Sequence, residues 1–288
     1  MGHWLQRKIN RASLMLTNQE VFHHQKRISN SFKRTFAPKS EHKFLFILSP
    51  PFCGSTLLNQ LISTSSQVSV NNEIDTREGQ TLPEVRKIMF DHNNRWDEQL
   101  DFDWTWIKKQ WLKYWDPAKP VLLEKSPPNI LRASSIAKAF NPAYFIIFHR
   151  NPYAHVESLM RRRKSTVHEA SEFAIKCLKH QKINIQELSN KLVISYEQLT
   201  DNPRDAVASF QKFIPELNDL SHDQSFTAHN FMSKPMKITN LNQEKIRNLK
   251  EQDLEIIYEV FVKEERLLNF FGYELIPSKP VIKSNENS

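Results

Sequence analysis

Lys43-Phe44-Leu45-Phe46-Ile47-Leu48-Ser49-Pro50-Pro51-Phe52-Cys53-Gly54-Ser55-Thr56-Leu57-Leu58-Asn59 decides the fold. An apolar run stops at a proline pair, turns through one glycine and resumes in a helical pattern. A buried strand that ends in a tight loop leaves the first N–H groups of the next helix unpaired and pointing forward. The helix dipole favours an oxyanion there. Gly54 is one of only four glycines in the chain, so its position in this turn carries weight. An ordinary nucleotide P-loop needs a glycine five residues before the second one and a lysine directly after it. Ser49 and Ser55 stand in those places. Without that lysine and a clear Mg²⁺ carboxylate a triphosphate is poorly neutralised, so an anion of lower charge fits better. The plainer alternative is a strand-loop-helix connection with no ligand.

Outward from this loop, further strand-like runs occur at Val68 to Val70, Val121 to Leu123, Tyr144 to Phe148 and Leu192 to Ser195, separated by helical patterns. Strands alternating with helices predict βαβ units: one α/β domain, three-layer α/β/α with a central parallel sheet, P-loop NTPase-like, with ligands outside the carboxyl ends of the strands. The expected organisation is a basic helical extension over 1–43, the main domain over 44–275 and a polar, disordered tail over 276–288. Residues 243 to 272 read as a helix or helical pair closing at Gly272.

A second anion corner is expected in Phe148-His149-Arg150-Asn151-Pro152-Tyr153-Ala154-His155-Val156-Glu157-Ser158. Arg150 falls where a buried strand ends and Ser158 in the helix that follows. A guanidinium fork with a nearby hydroxyl suits a terminal phosphate. Alone, Arg150 reads equally as a surface ion pair and Ser158 as an idle helix position.

Together these landmarks resemble the sulfotransferases. Pro51, Cys53, Gly54, Ser55, Thr56 and Leu57 follow the family's 5′-phosphosulfate loop, with Phe52 where a lysine or arginine is usual. Arg150 and Ser158 resemble its 3′-phosphate motif, with Asn151 for Asp. Glu124-Lys125-Ser126-Pro127 resembles its Lys-Ser-Pro turn, and Ser195-Tyr196-Glu197-Gln198-Leu199 its Tyr-Glu-x-Leu segment. The resemblance spans Lys43 to about Glu274 and is nearest to the bacterial and tyrosylprotein types. It implies 3′-phosphoadenosine 5′-phosphosulfate (PAPS) as donor, 3′-phosphoadenosine 5′-phosphate (PAP) as product, no metal, and a small-molecule acceptor sulfated on oxygen or nitrogen. Phe52, Cys53, Gly54, Ser55, Thr56, Leu57, Arg150, Ser158, Tyr196 and Lys234 are the candidate donor-binding residues. Lys125 is the candidate for countering charge on the departing phosphate, a task heavier with Phe52 in the loop; Arg77 and Lys234 could share it. Glu73, just past the second strand, is the candidate base with Asp75 in reserve. The alternative for Glu73 is a solvated loop carboxylate paired with Arg77, and for Tyr196 a core aromatic.

The net charge of +8 over 288 residues is a property of the N-terminal segment. Residues 1 to 43 hold nine Lys or Arg against two acids, and the rest thirty-one against thirty. This weakens a nucleic-acid reading. The plainer reading is a helical extension packed through Leu5, Ile9, Leu14, Leu16, Val21 and Phe22. Two cysteines make no disulfide framework, and no run approaches a membrane span or a secretory signal, so a cytoplasmic setting is expected. Five of six tryptophans lie between 96 and 115. The simple reading is an amphipathic helix on the core; the sharper one, with Asp97, Glu98, Asp101, Asp103 and Asp116 beside them, is a pocket for a cationic or planar acceptor. The competing functions are a phosphoryl transferase on the same scaffold, or a non-catalytic nucleotide-binding module, for which the missing basic residue at Phe52 is the argument.

Overall fold

In the computed structural model Lys43–Leu48 forms β1, with every residue after the first buried. The structure describes residues 2–36, 41–92, 94–223 and 237–277, with side chains from residue 18 onward. Unbroken Phe, Leu and Ile in β1 leave neither face suited to water, so the strand must lie centrally in a sheet covered on both sides. Four further strands, β2 (Val68–Val70), β3 (Val121–Glu124), β4 (Ala143–His149) and β5 (Lys191–Ser195), join it in the order β2-β3-β1-β4-β5. Every pairing is parallel. The expected single α/β domain with a parallel sheet is the fold observed.

Helices fill the crossovers and the two faces. The first is α1 (Gly2–Phe36), followed by α2 (Ser55–Ile62), the short α3 (Arg86–Met89), α4 (Trp104–Leu112) and α5 (Ala133–Ala139). Beyond β4 come α6 (Pro152–Arg163) and α7 (Val167–Glu187). After β5 follow α8 (Tyr196–Asp201), α9 (Pro203–Phe213), α10 (Asn242–Arg247), α11 (Glu251–Phe261) and α12 (Glu265–Phe270), the last three in the predicted helical region. Gly272 follows with a positive φ of 76°.

One face of the sheet packs Phe44, Phe46, Leu122 and Phe145 against Trp104, Trp111, Trp115 and Phe140. The other packs Leu45, Ile47, Ile146 and Phe148 against Leu58, Leu61, Leu199 and Phe210. Full burial of each such side chain contributes about 1.5–3 kcal/mol. The tryptophan cluster is thus chiefly core. Trp111 donates to the Gly79 carbonyl (3.1 Å) and Trp115 to the Leu123 carbonyl (2.9 Å), which satisfies their indole N–H groups.

Of the apolar residues expected to dock helix α1, Val21 and Phe22 have described side chains, Val21 exposed and Phe22 half-buried. Val21, Ile28, Phe32 and Phe36 are exposed, and attachment runs through polar groups. Lys26 donates to the Val70 carbonyl (2.7 Å) and pairs with Glu73 (2.5 Å), Arg27 pairs with Glu84 (2.7 Å), and Asn30 donates to the Lys113 carbonyl (3.3 Å). The side chains of Leu5, Ile9, Leu14 and Leu16 lie outside the described residues, as does the tail from 278. Among the described residues no helix is long and apolar enough to cross a membrane.

Candidate functional site

The carboxyl ends of β1, β3, β4 and β5 border one cleft of about 1000 Å³. Its floor is the loop after β1. Gly54, at φ 94°, caps α2, whose first intrahelical bond runs from Leu58 N to the Gly54 carbonyl (3.2 Å). The N–H groups of Ser55, Thr56 and Leu57 precede that bond, and all three residues line the cleft. A Cβ on Gly54 would lie 2.7 Å from the Tyr196 ring, so both φ and space demand glycine. The loop is further bent at Phe52, which has φ 63°.

Parallel pairing sets the opposite wall. His149 of β4 is in register with Ser195 of β5, so Arg150 and Tyr196 leave adjacent strands at the same level. The Arg150 guanidinium lies 3.9 Å from the centre of the Tyr196 ring, a cation–π contact that helps hold a buried charge. Arg150 Nε donates to Asn242 Oδ1 (2.7 Å) and Nη1 to the Phe52 carbonyl (3.3 Å). Arg150 Nη2 is buried with no hydrogen-bond partner. An unsatisfied guanidinium N–H inside a protein is costly, and Arg150 is one of the residues that line the cleft. Asn242 also donates to Glu197 Oε1, which accepts in addition from Asn151 N (2.9 Å). Tyr196 donates to the Thr239 carbonyl (3.0 Å). The region after 236 is thereby tied to both strand ends.

Ser158 is buried in α6 and donates to the Ala154 carbonyl (2.8 Å); its hydroxyl can rotate toward an oxyanion. Next to it Glu157 accepts from Arg161 (2.8 Å) and Lys245 (2.9 Å). Burial opposes the charged form of Glu157, but the bonds from Arg161 and Lys245 prevail and hold its carboxyl below the usual range.

Lys125 follows β3 almost wholly buried, yet borders the cleft. Its Nζ donates to the Thr76 carbonyl (2.7 Å) and to Glu78 Oε1 (3.0 Å). Glu78 also lines the cleft and accepts from Gln80 at its other oxygen. This segment is placed from below. Glu124, at the end of β3, accepts from Gly79 N (3.1 Å), Ser126 (2.5 Å) and Asn129 (2.8 Å). Burial raises its carboxyl to about 7 despite those bonds. A Cβ on Gly79 would come within 2.4 Å of Asn71 and 2.8 Å of Glu124, so this second glycine is also required by close approach.

Phe52, Gly54, Ser55, Thr56, Leu57, Lys125, Arg150, Ser158 and Tyr196 therefore share one cleft. Cys53 is buried outside its lining, its thiol pushed well up by burial. Glu73 also lies outside the lining; it is half-exposed and bound to Lys26 rather than paired through its side chain with Arg77. Arg77 donates to Asn59 (2.6 Å), Ser63 (2.9 Å) and the Glu73 carbonyl (3.2 Å), bracing the loop against α2. Lys234 lies outside the described residues. Glu78 and Asn242 were not anticipated. Glu78 adjoins Gly79, and the glycine scarcity that marked Gly54 marks this turn too. Nothing local marks Asn242.

The acids next to the tryptophans have other partners. Asp101 accepts from Trp104 (2.6 Å) and Ser135 (2.6 Å), Asp103 caps α4, Glu98 pairs with Lys176 (3.1 Å), and Asp116 pairs with Lys33 (2.5 Å). Trp96 alone of the five tryptophans borders the cleft. Among the described residues no three His, Cys, Asp or Glu converge as a metal donor set.

Comparison with known proteins adds the family. No curated protein matches the chain. Among solved structures, a sulfotransferase domain from the curacin biosynthetic pathway is 18% identical, with a TM-score of 0.49 over 82% of this chain and 100% of its own. A sulfotransferase from Mycobacterium avium is 15% identical, with a TM-score of 0.48 over 86% of this chain and 81% of its own. One from Alicyclobacillus acidocaldarius is 14% identical, with a TM-score of 0.48 over 80% and 96%. The sequence profile of the sulfotransferase family matches residues 45–219. That match runs from within β1 to beyond α9, more than half of the sequence, and the chain belongs to the sulfotransferase family.

Proposed function

We propose that the protein transfers a sulfuryl group from PAPS to a hydroxyl or amino group of a small-molecule acceptor. The observation that carries this reading is Arg150 Nη2, a buried guanidinium donor without a partner on a residue that lines the cleft. The free N–H groups of Ser55, Thr56 and Leu57 line the same cleft. Two anion corners at the ends of neighbouring strands suit an adenosine nucleotide with phosphates on both its 3′ and 5′ positions.

When bound, PAPS supplies a sulfuryl group whose bond to the acceptor atom forms as its bond to the 5′-phosphate breaks, leaving PAP. Arg150 and the Ser158 hydroxyl hold the 3′-phosphate. The N–H groups of Ser55 to Leu57 and the Lys125 ammonium face the 5′ end, where they counter charge on the sulfuryl oxygens and the departing phosphate. Glu78 takes the acceptor proton: its carboxylate borders the cleft, held 3.0 Å from the Lys125 ammonium that faces the transferring group. Glu73 is the rival base and would have to leave Lys26 to act.

The test is mass spectrometry of a hydroxyl- and amine-bearing library incubated with PAPS or with ATP. A gain of one sulfuryl group from PAPS, and no phosphoryl gain from ATP, is expected. In the same assay Lys125→Ala lowers turnover by about two orders of magnitude, the effect of losing one transition-state donor. PAP continues to raise the unfolding temperature of that variant. Phosphorylation by ATP in place of sulfation overturns the reading; PAP binding with no transfer to any member reassigns the protein as a nucleotide-binding module.

A further inference from the structure

Beside Phe52, whose carbonyl accepts from Arg150, the cleft has a charge pattern that its sulfotransferase chemistry does not require. Arg163, at the last residue of α6, is half-buried. Its guanidinium lies 4.5 Å from the Phe173 ring centre, 5.6 Å from Trp96 and 5.8 Å from Phe52. Arg95 lies 4.5 Å over Phe90 and donates to the Phe90 carbonyl (3.2 Å). Arg163, Arg95, Phe52, Trp96 and Phe90 all border the cleft.

Among the described residues neither Arg163 nor Arg95 has a carboxylate partner. Of the three acids among the described residues that border the cleft, Glu78 is held by Lys125 and Glu157 by Arg161 and Lys245, while Glu244 lies in the first turn of α10 and pairs with neither Arg163 nor Arg95. Residues 224–236 contain no Asp or Glu, so that part of the chain holds no counter-ion either. Arg163 and Arg95 are near enough to repel, and burial together with that repulsion disfavours the charged form of Arg163. Two unneutralised guanidiniums against aromatic faces form a receptor for an anion joined to a flat apolar body.

We propose that the acceptor is an anionic aromatic compound, its carboxylate or phosphate received by Arg163 and Arg95 and its ring lying against Phe52 and Trp96. This rests on the sulfotransferase reading and gives the acceptor its chemical class. It reverses the cationic acceptor suggested by the acids around the tryptophans, since those acids are held by Lys176, Lys33, Ser135 and backbone groups. It also gives Phe52 a role: the loop position that usually carries positive charge is an aromatic wall, with the charge beside it on Arg163. The transfer itself is unchanged: the acceptor oxygen bonds to sulfur, its proton passes to Glu78, and the electron pair of the broken bond leaves on the 5′-phosphate.

The experiment is calorimetric titration of the full-length protein, free and loaded with PAP, with three phenols matched in shape: 3-(4-hydroxyphenyl)propanoate, its methyl ester and tyramine. The propanoate is expected to bind at least about tenfold tighter than the ester, the order of one charge-assisted contact, and tyramine weakest. Arg163→Gln brings propanoate and ester within about twofold of each other, while PAP still binds. Equal binding of the three phenols, a preference for tyramine, or no binding of the propanoate overturns the proposal. Loss of PAP binding in Arg163→Gln with the propanoate preference intact assigns Arg163 to the donor and also overturns it. Failure of PAP to bind the wild type is a separate result, directed at the sulfotransferase reading alone.

Discussion

Glu78 and Glu73 differ in what holds them. Glu78 borders the cleft and touches Lys125, the cation expected to face the reacting group. Glu73 is half-exposed and anchored to α1 through Lys26. Glu73 is the exposed half of that pair and Lys26 the more buried half, so its contact is with the helix and not with the cleft, whereas removing a positioned proton acceptor costs about 10²–10⁴ in rate. Glu78→Gln is therefore expected to lower kcat by at least about 10², with PAP binding retained, and Glu73→Gln to leave kcat within a few-fold. Steady-state rates of the two variants check this, and the reverse order would make Glu73 the base. The sequence pointed to Glu73 because it follows β2 directly. Glu78 owes its position to Gly79 N bonding Glu124, forty-five residues away, and to a glycine whose Cβ would strike Asn71. Neither relation has a local pattern. Arg150 was legible because a strand end and a helix start flank it within a few residues, whereas Asn242, which holds it, comes from a helix ninety-two residues on.

The strands were readable for a physical reason: β1 and β4 are unbroken apolar runs bounded by Pro, Asn or Arg, and only a doubly covered sheet accommodates them. The attachment of helix α1 was not readable in this way. In its described part Lys26, Arg27 and Asn30 reach carbonyls and carboxylates near 70–84 and 113, contacts that depend on side-chain length and have no periodic pattern. Helix α7 carries a more local device. Thr166 accepts from Glu169 N (3.3 Å), and Glu169 accepts in return from Thr166 N (2.9 Å), a reciprocal cap on a helix that packs along α6 and α11. Thr166→Ala is expected to destabilise the fold by about 1 kcal/mol, read as a lower urea midpoint with unchanged slope. A shift no larger than error would mean the helix start is held by packing alone.

Buried ionisable groups give the whole molecule opposing responses to pH. Burial lowers His149 to about 4, Glu197 partly opposing. Burial, then Arg150 and Arg163, lower His155 to about 3. Both are neutral in the fold and ordinarily titrate at 6.5, so their contribution is complete above that value and is lost as pH falls toward about 4 and 3. Glu124 acts the other way: raised from 4.5 to about 7 by burial, it favours the fold when protonated and costs stability as pH rises across that interval. Glu124→Gln is therefore expected to gain stability relative to wild type between about pH 5 and pH 8. Urea unfolding at both values measures this; an offset from wild type that is the same at both would show that Glu124 does not titrate in that window.

The proposed function depends above all on a 3′-phosphate of an adenosine nucleotide meeting Arg150, whose Nη2 is buried without a partner. Calorimetric titration with PAP and with ADP, which lacks that phosphate, on wild type and Arg150→Ala tests it most directly. PAP is expected to bind wild type about ten- to a hundredfold tighter than ADP, and the difference to disappear in Arg150→Ala while the fold, monitored by circular dichroism, persists. Equal affinities for PAP and ADP in wild type, or a PAP preference that survives Arg150→Ala, would contradict it.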